Sequence, residues 1–185
     1  MQREVEAKPT RMILIPLARG HDDQYPELFD ITRFDLALSQ VLQSLGLDDN
    51  KLELPVMSAH SGAGEVLSRL LEQASLSHFV GQVRRIDFFD AIYSEETTGR
   101  LSTWISASVA HELRLFSIPK GEPSQHAEVI YQSLSGPESV NVSMNQGFNI
   151  KSSMKMLPSG GSISIIQETA QRLDHWSLAK MAWMF

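Results

Sequence analysis

The chain predicts an α/β fold, a three-layer αβα sandwich on a mostly parallel sheet, and three observations predict it. Short apolar runs alternate with stretches whose apolar residues recur at helical spacing. The run Met12 to Leu17 (MILIPL) is continuously apolar, the pattern of a strand buried on both faces. The stretch Leu52 to Gln73 (LELPVMSAHSGAGEVLSRLLEQ) passes from an apolar run, through small residues flanking one serine, into an amphipathic helix. With 185 residues and 42% apolar content, the length suits one domain with a real core over 1–185, with 1–10 as a flexible lead-in.

The elements follow in order. Met12 to Leu17 reads as a central parallel strand ending in the loop Ala18 to Asp23. Thr32 with Asp35 approximates a capping box, and Phe34, Leu38, Val41, Leu42 and Leu45 make a helical stripe that Gly46 can end. Leu52 to Ser58 reads as the second strand, with Pro55 awkward in it because proline removes a ladder donor. Beyond the bend, Val66, Leu67, Leu70 and Leu71 share one helical face. Val83 to Asp90 is a third strand, and Leu101, Trp104, Ile105 and Val109 mark the next helix. Glu112 to Ile118 is a fourth strand, Ser124 to Leu134 a helix closed near Gly136, and Val140, Val142 and Met144 alternate as in a strand. Ser162 to Gln167 forms the last apolar run. A closing helix over Asp174 to Phe185 has Asp174 as N-cap and His175 in its first turn. This alternation implies helices on both faces and a working edge at the strand C-termini.

Charge and composition narrow the function. Twenty-two acidic against 16 basic residues leave a net charge of −6, and Arg84-Arg85 is the only adjacent basic pair, so nucleic acid is not an expected partner. The absence of cysteine removes disulfides, thiolate catalysis and cysteine zinc sites. The stretch MQREVEAKPTR has no apolar signal core and no run approaches membrane-spanning length, so a cytoplasmic protein without membrane contact is expected. His21-Asp22-Asp23 reads as a solvated loop, since adjacent residues point apart and no second ligand cluster accompanies them. No metal or cofactor is expected.

At Ser61 a strand turning sharply into a helix lifts the turn side chain above the sheet edge and aims free helix N–H groups at whatever lies there. Such a turn requires small neighbours, and Ala59, Gly62, Ala63 and Gly64 supply them. The string Ala59-His60-Ser61-Gly62-Ala63 resembles the nucleophile elbow Gly-x-Ser-x-Gly of the α/β-hydrolase family of serine esterases and lipases, with alanine at both outer positions. The resemblance runs from about Met12 onward and lacks the strands that such hydrolases usually place before the elbow unit.

The resemblance implies the order serine, acid, histidine: Ser61 as nucleophile, Asp90 in FFDAIY as acid with Glu122 in PKGEP as the alternative, and His175 as base. A serine hydroxyl attacks a carbonyl carbon once an imidazole takes its proton, and a carboxylate on the other ring nitrogen fixes the tautomer. The Gly62 N–H is the natural first oxyanion donor, and the loop after the first strand, at Arg19 and Gly20, the source of a second. The expected substrate is a small ester. Met144, Met154 and Met156 with Phe148 form a candidate acyl pocket, although such residues are more often plain core. A second reading, motivated by the elbow alanines and missing strands, is a catalytically silent binding or assembly module on the same fold. A sheet edge left uncovered by the missing strands would favour a homodimer.

Overall fold

Residues with branched and aromatic side chains in short runs form strands because these side chains pack well on a pleated surface. The computed structural model describes residues 30–48, 56–145, 148–169 and 177–178. Its elements are α1 (Ile31–Ser44), β1 (Val56–His60), α2 (Ala63–Glu72), β2 (Arg85–Phe89), α3 (Glu95–Ser106), β3 (Glu112–Ser117), α4 (Glu122–Ser133), β4 (Glu138–Asn145), β5 (Phe148–Met156) and β6 (Ser162–Glu168). The sheet order is β1-β2-β3-β6-β5-β4. The first four pair in parallel, while β5 runs antiparallel to both β6 and β4. This α/β architecture, a six-stranded mostly parallel sheet with four helices, is compatible with a three-layer sandwich.

Alternate strand residues decide the two faces. Ala59, Ile86, Phe88, Leu113, Leu115, Ile163 and Ile165 turn to one face and bury against Val66, Leu70, Leu101, Ile105, Ala127 and Ile130 of α2, α3 and α4. Phe89, Phe116, Ile150 and Ile166 turn to the other and pack with Leu178. Phe89 and Phe116 stack there with ring centroids 4.4 Å apart. Helices were expected on both faces, yet α2, α3 and α4 share one. The cause is chirality: β1, β2, β3 and β6 advance across the sheet in a single direction, and right-handed crossovers then fall on the same side. The opposite face also carries charge in its upstream half. Asp87 lies 3.3 Å from Arg85 and 3.4 Å from Arg114, yet burial outweighs both guanidiniums and pushes its carboxyl up.

Several elements depart from the sequence expectations. The N-cap of α1 is Asp30, which accepts from the Thr32 and Arg33 N–H groups, whereas Asp35 accepts from the Ser77 hydroxyl and the His78 N–H and ties α1 to the turns before β2. Helix α3 ends at Ser106, leaving Val109 exposed beyond it. Strand β5 was not expected at all. Its sequence, FNIKSSMKM, carries few apolar residues: β4 beside it is exposed, and its own inward face carries a lysine. That lysine, Lys155, is 8% exposed and donates to the Tyr131 carbonyl at 2.8 Å and the Leu134 carbonyl at 3.3 Å. It places a cation on the C-terminal carbonyls of α4, where the helix dipole favours one. Met154 and Met156 project from β5 as exposed side chains. Met12 to Leu17, Pro55 and Asp174 lie outside the described residues. No described helix is long and apolar enough to cross a membrane.

Candidate functional site

The site builds on the level at which the parallel strands end. Register pairs His60 with Phe89, Phe89 with Phe116, and Ser117 with Gln167. The ladder runs one residue further, with the Ser61 N–H donating to the Phe89 carbonyl at 3.2 Å and the Asp90 N–H to the Phe116 carbonyl at 2.8 Å. Ser61 and Asp90 therefore stand side by side at the ends of adjacent strands, about 5 Å apart at the backbone. Both leave the ladder through left-handed backbone, Ser61 at φ 56° and Asp90 at φ 47°. An aspartate tolerates that region better than most residues, while a serine there is held by its surroundings at a cost of about 1–2 kcal/mol.

Those surroundings are visible. Gly62 opens α2 with no side-chain cap, and the Gly64 N–H donates back to the Ser61 carbonyl at 3.0 Å. A Cβ on Gly64 would sit 1.9 Å from the Ala91 carbonyl oxygen, so the segment after Asp90 packs directly on the first turn of α2. Ser94 caps α3 by accepting from the Thr97 N–H, and its hydroxyl lies 3.4 Å from Glu65 on α2. Glu65 also accepts from Thr97, Arg69 and Arg100, and Arg100 reaches Glu72 at 3.0 Å. Burial pushes the Glu65 carboxyl up, but these hydrogen bonds prevail and hold it down at about 2. Helices α2 and α3 are thus locked together directly behind the serine turn.

Asp90 is 6% exposed, whereas Glu122, the first residue of α4, has a side chain 62% exposed. Glu122 lies 4.0 Å from His126, whose other ring nitrogen is 3.1 Å from the Thr98 hydroxyl. Of the two carboxylates the sequence offers, only Asp90 is buried beside Ser61. Between β3 and β6, the Gln167 amide donates to Ser124 at 2.9 Å and to Ser117 at 3.3 Å, closing the floor of the same edge with paired polar groups. His175, Arg19 and Gly20 lie outside the described residues, as do His21, Asp22 and Asp23. Leu178, three residues past His175, is buried on Phe89 and Phe116, the last residue of β2 and the penultimate one of β3.

Sequence reasoning missed Tyr93. Burial and the Asp90 and Glu122 charges push its phenol up, and Ser61 eases it down. An aromatic hydroxyl three residues beyond a strand-end acid was the available signal. A groove of about 620 Å³ lies elsewhere, lined by Leu71, Val83, Arg100, Trp104 and His111 near the upstream ends of β2 and β3. It contributes nothing to the serine site. Among the described residues no group of three or more His, Asp or Glu side chains could hold a metal ion. Comparison with family models, curated proteins and solved structures finds no match to this chain.

Proposed function

We propose that this chain is an α/β-hydrolase-like serine hydrolase of the esterase type, cleaving a small ester through Ser61. The observation that carries the reading is the left-handed turn at Ser61, between a parallel strand and an uncapped helix start. Unfavourable backbone at one serine, over-determined by Gly64 against Ala91, is what a nucleophile held above a sheet edge requires.

In this mechanism the Ser61 Oγ attacks the ester carbonyl carbon as His175 takes its proton. The carbonyl electron pair moves onto oxygen, where the Gly62 N–H at the start of α2 holds it, with the Arg19 or Gly20 amide as the second donor. Asp90 accepts from the other ring nitrogen and stabilises the imidazolium. Protonated His175 then gives its proton to the departing alcohol, and water repeats the sequence on the acyl-serine. The burial of Asp90 supports it over Glu122 as the acid. Leu178 supports His175, since it ties the chain just past the histidine to this end of the sheet.

A fluorophosphonate probe tests the reading, because it needs an activated hydroxyl beside oxyanion donors. The expected result is one label on Ser61, abolished in Ser61→Ala and His175→Ala, together with turnover of short p-nitrophenyl esters. Folded protein that neither takes the label nor turns over any ester would replace this reading with the silent module.

A further inference from the structure

The groove near the upstream ends of β2 and β3 takes no part in the chemistry at Ser61. It holds about 620 Å³, inside the range of about 300–1,000 Å³ that small-molecule sites occupy. Its floor is apolar, formed by Leu71, Val80, Val83 and Trp104. One wall is a single stripe of α3, with Glu96, Gly99, Arg100 and Thr103 at helical spacing. The other is the pair of short turns after α2, Ala74–Leu76 and Val80–Gln82. Each wall carries a glycine, and packing explains only one of them. A Cβ on Gly81 would stand 2.9 Å from the Ala74 carbonyl oxygen, so that position has no room. A Cβ on Gly99 would meet nothing within 4 Å, although Gly99 lies inside α3, where glycine is a poor helix former. A side chain there would enter the groove, and glycine keeps that space open.

The charges along this wall do not balance. The Arg100 guanidinium is shared between Glu65 and Glu72, 3.0 Å from each, and Glu65 also pairs with Arg69. Glu96, one helical turn from Arg100, makes no ion pair among the described residues. Three carboxylates therefore stand against two guanidiniums, and the exposed Glu72 and Glu96 flank Arg100. His111, also in the lining, adds no positive charge. Its ring lies flat on the Trp104 indole with centroids 4.0 Å apart, and its Nδ1–H donates to the Trp104 carbonyl at 2.6 Å. Burial and the Arg84 charge push the imidazole down against that hydrogen bond, so at neutral pH the ring is uncharged and its Nε2 is an acceptor.

We propose that this groove binds a small amphiphilic amine, with its hydrocarbon body on the apolar floor and its ammonium group between Glu72 and Glu96. An anion would meet two exposed carboxylates and a guanidinium already shared between two partners. An uncharged molecule would leave the Glu96 charge unanswered. No bond forms or breaks, and binding needs no activity at Ser61.

Three naphthalene probes of similar shape test this by isothermal titration calorimetry: 2-(1-naphthyl)ethylamine, 2-(1-naphthyl)ethanol and 1-naphthaleneacetate. The amine should bind wild type about 3- to 10-fold more tightly than the alcohol, and the anion should bind weakest. Glu96→Gln should remove most of the amine's advantage and leave the alcohol's affinity unchanged. Gly99→Leu puts a better helix former in α3 and a side chain in the groove. Its melting temperature should be no lower than that of wild type, while affinity for the amine falls at least about 10-fold. Full amine affinity in Gly99→Leu would place the ligand elsewhere and overturn the proposal, as would equal affinity for amine and anion or no binding of any probe at millimolar concentration. If Gly99→Leu melts lower, Glu96→Gln decides alone, and an unchanged ratio of amine to alcohol affinity there sinks the amine site. A dimeric wild type that Gly99→Leu turns monomeric would give the groove to a second copy of this chain instead.

Discussion

Left-handed backbone at Ser61 ties function to stability in one residue. Glycine adopts that region without penalty, and its own conformational entropy cost offsets only part of the gain. Ser61→Gly should therefore be more stable than Ser61→Ala by about 0.5–1 kcal/mol in urea melts, the reverse of their order in ordinary backbone. Equal stabilities would mean the turn carries no strain. The acid can be separated in the same way. Asp90→Asn should keep the fold and cut turnover by about 10³- to 10⁴-fold, because the histidine would lose its orienting anion. Glu122→Gln should retain near-wild-type turnover, since its side chain is mostly in solvent. A larger loss in Glu122→Gln would move the acid role to α4. The serine turn and Asp90 were legible because small residues and a strand-end carboxylate leave a mark in the sequence. Tyr93 was not, since nothing in Asp90-Ala91-Ile92-Tyr93 shows that Ala91 seats on Gly64 and holds this segment on the first turn of α2.

The helices and strands depend on a few close contacts between elements. Gly64→Ala would force a methyl into the Ala91 carbonyl oxygen, which is backbone and cannot swing aside, and should cost about 2–3 kcal/mol. The chemical denaturation midpoint reads this, and the wild-type value would show that α2 and the Asp90 segment slide apart freely. Lys155→Met fills a similar volume but leaves the Tyr131 and Leu134 carbonyls without their donor, so α4 should lose about 1–3 kcal/mol of anchoring. The helices that pack on the sheet were readable from apolar residues at helical spacing, β1 from the apolar stretch leading into the serine turn, and β2, β3 and β6 from short runs of Ile, Leu and Phe. Strand β5 escaped because Lys155 caps α4 from an inward position, and a lysine at an inward site breaks the alternation by which strands are recognised.

At the scale of the whole molecule, charge sets the response to acid. The Glu65 carboxyl lies at about 2 in the folded protein against an ordinary 4.5. A depressed carboxylate contributes stability that is fully present above its unfolded value and is lost as pH falls through its folded value. Wild type should therefore lead Glu65→Gln in melting temperature at neutral pH, and the lead should vanish between about pH 4.5 and 2. A constant gap would assign the network's contribution to geometry alone. The outer strand β4 bears on association: Val140 and Val142 are exposed, and Glu138 is its one charged residue, without the lysine or proline that blunts an edge. Light scattering should read twice the 20.7 kDa chain mass, and Val142→Lys should return the monomer. A monomeric wild type would remove the dimer.

The sheet order has a further consequence, in time and not in space. Strand β6 comes last in sequence among the six yet lies between β3 and β5, with α4 and the β4–β5 pair intervening along the chain. The β1-α2-β2-α3-β3 unit and the β4–β5 pair can each form from neighbours in sequence, but β6 must enter a gap between two ready-made edges. Until it emerges from the ribosome both edges stand open to other chains, so the interval between synthesis of β5 and of β6 is when nascent chains are most prone to pair wrongly. Refolding should be paced by the same insertion. Trimming Ile165 to valine should slow refolding more than it speeds unfolding, as stopped-flow fluorescence would show, whereas the opposite split would mean that β6 docks after the rate-limiting step.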